Sequence, residues 1–250
     1  MDFSTLPVLS MTQATIFQGE NPVLSEVNFS VEQHEFVFLI GRTGSGKSTI
    51  LKLLMRQIDP DNGEILIDGV NIKDINMEAY RDQTGIVPQE VFLFSDTIKN
   101  NLEFGSIDGN ISEERLIEVT KLAHVYHNIS EFQDKFETLL GERGVNLSGG
   151  QKQRLSIARA LIRNPKLLIL DDCLSAVDTE TEEIILDNLK KTKSTTSLVV
   201  SHRISSIRNA SQIINIEDGS VIEYGTHQEL MSLNGIYAEM YKKQLTEENA

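Results

Sequence analysis

A continuously apolar run, Phe36-Val37-Phe38-Leu39-Ile40, leads straight into Gly41-Arg42-Thr43-Gly44-Ser45-Gly46-Lys47-Ser48-Thr49, and this junction constrains the fold more than any other stretch. Unbroken apolar residues of that length suit a strand buried on both faces, which points to a parallel sheet with helices on either side. The Gly-x-x-x-x-Gly-Lys-Ser spacing lets backbone N–H groups turn inward around a phosphate. The helix that follows adds the partial positive charge of its N-terminus. Lys47 is expected to reach the β- and γ-oxygens of a nucleotide, and the Ser48 hydroxyl to ligate Mg²⁺. Ile50, Leu51, Leu53, Leu54 and Ile58 recur at helical spacing and predict a helix over Lys47 to Ile58.

Elsewhere the patterning alternates. Leu9, Met11 and Ile16, then Val27, Phe29 and Val31, read as half-exposed antiparallel strands. Asp61-Asn62-Gly63 and Asp68-Gly69 are turn signals around a short strand at Ile65-Leu66-Ile67. From about Asp96 to Asn164 the pattern is helical, with Ser112 before Glu113 and Glu114 as an N-cap and Asn164-Pro165 as a stop. Strand 167–171, helix 180–191 and strand 197–200 then follow in turn. Strand–helix alternation around a helical block implies a parallel sheet with an inserted helical subdomain. The division expected is a core of about 1–95 and 165–245, a helical subdomain of about 96–164, and a frayed tail at 246–250.

Net charge excludes one class of partner. With 23 basic and 37 acidic residues the chain carries −14, against a sequence-independent grip on nucleic acid, which needs Lys and Arg on the phosphates. The single Cys173 rules out an internal disulfide and suits a reducing compartment. No apolar run approaches the ~18 residues of a membrane span.

Two further motifs carry chemistry. Leu167-Leu168-Ile169-Leu170-Asp171 is a buried strand ending in a carboxylate where Mg²⁺ would be held. Leu147-Ser148-Gly149-Gly150-Gln151 reads as a helix start presenting N–H donors and a hydroxyl, suited to a phosphate belonging to another copy or a partner.

Together these segments resemble the nucleotide-binding domain of ABC ATPases over nearly the whole chain. The resemblance implies a P-loop NTPase (RecA-like) α/β core with an N-terminal antiparallel β subdomain and an inserted α-helical signature subdomain. Leu147 to Gln151 matches the signature. Gln89 matches the Q-loop glutamine, which touches Mg²⁺ and the attacking water, and Ser175-Ala176-Val177-Asp178 resembles the D-loop. His202 matches the switch histidine at the γ-phosphate, and Phe17 the aromatic that stacks on adenine. Asp178 also stands where it could cap the next helix, since Thr179-x-x-Glu182 is a capping-box pattern, and both uses are expected. The cofactors implied are ATP and Mg²⁺. The partners implied are a second ABC ATPase domain, as homo- or heterodimer, and transmembrane transporter domains that place the chain on the cytoplasmic face of the inner membrane.

The chain departs from the family pattern twice. Asp172 stands where the family has the Glu that polarises the attacking water, a carboxylate one methylene short; general-base geometry is demanding, so weakened hydrolysis is expected. That would suit the weaker-site half of a heterodimeric exporter. His34 replaces a turn glycine, at a modest backbone cost. Leu140-Gly141-Glu142-Arg143-Gly144, Phe92 to Asn101, and Tyr224 to Leu230 are exporter-like, whereas the stretch from Phe17-Gln18-Gly19-Glu20-Asn21 through Gly41-Arg42-Thr43 resembles the ATPase of the bacterial cell-division ABC complex. The exporter reading covers more residues and leads; a division ATPase regulating a membrane partner without transport is the alternative.

Overall fold

The computed structural model describes residues 6–106, 109–192, 194–201, 203 and 207–248. Its strands are β1 (Leu9–Gln18), β2 (Asn21–Val31), β3 (Phe36–Ile40), β4 (Asn62–Ile67), β5 (Val70–Asn71), β6 (Thr84–Val87), β7 (Leu167–Asp171), β8 (Thr196–Val200), β9 (Gln212–Glu217) and β10 (Ser220–Gly225). Its α-helices are α1 (Lys47–Leu54), α2 (Met77–Asp82), α3 (Ile98–Glu103), α4 (Glu113–Leu122), α5 (Tyr126–Glu131), α6 (Gly149–Leu161), α7 (Thr179–Lys191), α8 (His227–Leu233) and α9 (Ile236–Glu248). The chain divides into two compact units, Met1–Ala79 with Thr196–Ala250, and Tyr80–Thr195.

In the first unit, β1 pairs antiparallel with both β2 and β4, in the order β2-β1-β4-β5. The register sets Leu9 opposite Val31 and Met11 opposite Phe29, so the alternating apolar residues share one buried face. β3 lies parallel to both β8 and β9, and β9 turns through Asp218-Gly219 into antiparallel β10. All five residues of β3 are buried, as its unbroken apolar sequence requires.

Helix α1 follows β3 and buries Ile50, Leu51, Leu53 and Leu54. Each such side chain contributes roughly 1.5–3 kcal/mol on burial. The helix is shorter than its apolar spacing suggests. It ends at Leu54 rather than Ile58, because Arg56 turns to φ 49 and breaks the ladder. At the other end of this unit, α9 continues through Glu248, so the stretch read as a tail from 246 is helical for its first three residues.

His34, in the turn between β2 and β3, sits at φ 66, in the left-handed region that the glycine reading anticipated. Its N–H donates to Thr196 Oγ1 at 2.8 Å, a bond any residue would keep. Left-handed backbone costs an L-residue about 1–2 kcal/mol, while glycine loses roughly 0.5–1 kcal/mol through the freer unfolded chain. His34→Gly should therefore stabilise by about 0.5–1 kcal/mol and raise Tm by about 1–4 °C. A thermal melt showing a fall would mean that the histidine side chain stabilises this turn.

In the second unit β6 and β7 are parallel neighbours, in register from Thr84 opposite Leu167 to Val87 opposite Leu170. The helical block forms as its sequence indicates, with Ser112 Oγ accepting from Arg115 N–H at 3.3 Å to cap α4. Helix α2, at the junction of the two units, was not anticipated; Asn76 caps it by accepting from the N–H groups of Glu78 and Ala79. The cap expected at Asp178 forms, but the capping-box pattern read beside it does not. Asp178 itself is the N-cap of α7, accepting from Thr181 N–H at 2.9 Å. Thr179 is thus already inside the helix, and Glu182 falls one place too far along to close a capping box. No helix among the described residues is long and apolar enough to cross a membrane.

Candidate functional site

The loop between β3 and α1 turns on glycines in backbone conformations closed to other residues. Gly41 lies at φ 144, Gly44 at φ 84 and Gly46 at φ 106, conformations that side chains resist. A Cβ at Gly41 would come 2.1 Å from the Ile216 carbonyl oxygen, so only glycine fits. Lys47 is 5% exposed, and its ammonium donates to the carbonyl oxygens of Gly41 at 2.7 Å and Arg42 at 2.8 Å and to Ser45 Oγ at 3.4 Å. The side chain is thus folded back over its own loop, placing a cation at the centre of the turn. Gly46 is the N-cap of α1 with no side-chain cap, which suits a helix whose first turn faces an anion.

The Ser48 hydroxyl is exposed on that first turn, Thr43 and Gly44 are exposed along the loop, and Thr49 is half-buried with its N–H on the Gly46 carbonyl. Exposed Arg42 pairs with Glu217 at 3.8 Å, a contact worth little in water. Phe17 is 45% exposed and lines a cleft of about 350 Å³ with Pro22, Glu26 and Asn62. Its backbone N–H donates to Asp61 Oδ2 at 2.7 Å, while the Asp61 N–H donates to the Thr15 carbonyl. Asp61 therefore holds the backbone at Phe17, a role its reading as a turn residue did not include.

The acidic group lies in the second unit. Asp171 closes β7 half-buried, and Asp172 follows at φ 44. Gln89 Nε2 donates to Asp172 Oδ2 at 3.5 Å, so the fold brings together two residues separated by more than eighty positions. His202 lies outside the described residues.

The signature helix α6 begins as its sequence implies. Ser148 is its N-cap in a reciprocal capping box: Ser148 Oγ accepts from Gln151 N–H at 3.2 Å, and Gln151 Oε1 accepts from Ser148 N–H at 2.9 Å. Ser148 and Gly149 are exposed, and Leu147 behind them is buried. The tip is thereby anchored by Leu147 while its hydroxyl still has a proton to donate. Arg154, one turn on, donates to the Gly150 carbonyl at 3.3 Å and to the His124 carbonyl. Asp178 is exposed, and the Thr181 N–H holds its carboxyl below the usual carboxylate range.

A second cleft in this unit, about 340 Å³, is lined by Ile86, Phe92, Phe94, Phe104, Arg159 and Arg163 among others. Three aromatic side chains stand exposed there, Phe92 at 51%, Phe94 at 37% and Phe104 at 64%. Arg159 underlies them, donating to the Phe92 carbonyl at 2.9 Å, and burial lowers its guanidinium from the ordinary value. Sequence patterning marked the Phe92 segment only by resemblance.

Residues 24–175 match the ABC transporter family. The chain is 45% identical over 235 residues to the ATP-dependent lipid A-core flippase of Coxiella burnetii, covering 93% of this chain and 39% of that protein. To the ATP-binding cassette sub-family B member 5 of Homo sapiens it is 44% identical over 223 residues, covering 89% of this chain and 18% of that one. Among solved structures, a bacterial Atm1-family ABC exporter with ATP bound matches at TM-score 0.90 and 36% identity, over 96% of this chain and 42% of the other. The chain spans well under half the length of each of these relatives. With the glycine cradle, the acidic strand end and the capped signature helix in place, the chain belongs to the ABC transporter family.

Proposed function

We propose that this chain is the ATP-binding and ATP-hydrolysing domain of an ABC exporter, and that its ATP-dependent pairing with a second such domain drives translocation by membrane partners. The observation that carries the reading is the Lys47 ammonium, buried in a glycine loop at an uncapped helix N-terminus. A compact ammonium held among glycine backbone at a helix start is a charge donor of the kind that phosphate oxygens take. The relatives named above, a flippase and an exporter, favour this reading over the cell-division alternative.

In this reading Gly41 to Thr49 hold the phosphates and Phe17 stacks on adenine. Ser48, Asp171 and Gln89 hold Mg²⁺, which neutralises the β- and γ-oxygens when bound. The exposed Ser48 hydroxyl and the half-buried Asp171 carboxylate are oxygen donors of the kind Mg²⁺ takes. Asp172 polarises the attacking water, and His202 contacts the γ-phosphate. Ser148, Gly149, Gly150, Gln151 and Asp178 serve the partner's nucleotide, since the helix tip at Ser148 and Gly149 is exposed and its start is anchored by buried Leu147. The partner of a heterodimer would carry Glu after its own metal Asp. The aromatic cleft at Phe92, Phe94 and Phe104 is the surface offered to a membrane domain, which would hold the chain on the cytoplasmic face of the membrane.

Binding is measurable on the chain itself. Mg²⁺–ATP at a hundred times its Kd should stabilise the fold by about 2.7 kcal/mol. For a chain of this length Tm should rise by about 5–10 °C, and EDTA should remove most of that gain. Light scattering with a non-hydrolysable ATP analogue should show pairing. Absence of both the thermal shift and pairing would overturn the reading.

A further inference from the structure

One buried amide joins the signature helix to the segment that follows β7. Gln153, on the second turn of α6, is 7% exposed. Its side-chain oxygen accepts from the Ala176 N–H at 3.0 Å, and its Nε2 donates to Ser175 Oγ at 3.4 Å. The Ser175 hydroxyl donates in turn to the carbonyl oxygen of Asp172 at 3.1 Å. The backbones are close enough for this because two signature residues lack side chains. A Cβ at Gly150 would lie 2.9 Å from the Ala176 carbonyl oxygen, and one at Gly149 would lie 3.4 Å from Ala176 Cβ. The same glycines that expose N–H groups at the tip therefore also seat it against the loop.

A buried amide is costly unless both its ends are satisfied, so it selects one register of the helix against the loop. Both elements so fixed carry assigned chemistry: the tip faces a nucleotide held by the partner, and Asp172 serves this chain's own. We propose that Gln153 is a positioning residue that locks the signature tip and Asp172 into one body, so that seating the tip on the partner's nucleotide sets the Asp172 carboxylate at the home site. Gln153 touches neither nucleotide. The inference rests on the shared-nucleotide reading of the proposed function.

The test compares steady-state ATP hydrolysis and analogue-driven pairing for the chain and for Gln153→Ala, Gln153→Met, Ser175→Ala and the Gln153→Ala/Ser175→Ala pair. Methionine fills the volume without hydrogen bonds, which separates packing from positioning. Both Gln153 variants should lose about fivefold in kcat with KM and pairing within twofold of the parent. Ser175→Ala should lose about as much, and the double variant no more than the worse single one, because the three groups form one line. Wild-type kcat in Gln153→Met, or multiplying losses in the double variant, would overturn the proposal while leaving the shared-nucleotide reading intact. Absence of pairing in the unmodified chain would instead sink that reading, and this inference with it. Should Gln153→Ala fail to fold, the methionine variant and the exposed Ser175 still decide the matter.

Discussion

Lys47→Ala is expected to lower ATP turnover by at least about 100-fold, the range found when one preorganised charge donor is removed from a phosphate or oxyanion site. The argument is electrostatic. The ammonium is 5% exposed and faces the Gly41 and Arg42 carbonyls at 2.7 and 2.8 Å. These dipoles hold it in place before any phosphate arrives, so little reorganisation is needed when charge shifts onto the γ-phosphoryl group. Alanine removes that preorganised charge and leaves the glycine turn intact. Lys47→Arg should not rescue activity, because a planar guanidinium has neither the compact charge nor the room to fold back over the loop. Phosphate release and ATP affinity are the measurements, with a thermal melt to show that the loop has not collapsed. Turnover within threefold of the parent would sink the assignment of this loop to phosphate.

The strand–glycine loop–helix from β3 to α1 was legible in the sequence because every requirement on it is local. A strand buried on both faces, a glycine spacing and a following helix are all written within fourteen consecutive residues, Phe36 to Thr49. Hairpins were legible for a similar reason, since alternation in Leu9, Met11, Phe29 and Val31 reports directly on the face each residue occupies. Helix ends were less legible. The apolar spacing ran on to Ile58, but the backbone turns at Arg56, and nothing in the residue types marks that turn. At α7 the cap falls on Asp178 as expected, but the Thr179-x-x-Glu182 pattern lies one position inside the helix and closes no box. Helix α2 escaped notice because it buries only Tyr80, too little to show a period.

Relations across long stretches of chain were not legible at all. The approach of Gln89 to Asp172, the hold of Asp61 on the Phe17 backbone and the bridge from Gln153 to Ser175 each depend on which strand ends the fold juxtaposes. Residue type gave roles to Gln89 and Asp172 only through resemblance. It marked Asp61 only as part of a turn and gave Gln153 no role, yet both polar side chains serve the backbone of neighbouring elements.

Asp172→Glu is expected to raise kcat about tenfold, and Asp172→Asn to lower it further from the parent value. An added methylene advances the carboxylate by roughly 1.5 Å, one carbon–carbon bond. Misplacement of a reacting group by ~1 Å can cost on the order of 100-fold, so tenfold is a restrained expectation. The backbone offers a reason for aspartate here. Asp172 sits at φ 44, where a short polar side chain is tolerated better than a longer one. Glutamate should consequently cost about 1 kcal/mol of stability and lower Tm by about 2–4 °C while it raises turnover. That opposition of signs is the discriminating feature, since a substitution that merely disturbed the loop would lower both. Gln89 Nε2, at 3.5 Å from Asp172 Oδ2, is within reach of the longer side chain, and its amide can reorient to follow it. Equal turnover for aspartate, glutamate and asparagine at this position would show that another group activates the water, and the case for a Glu-bearing partner would fall with it.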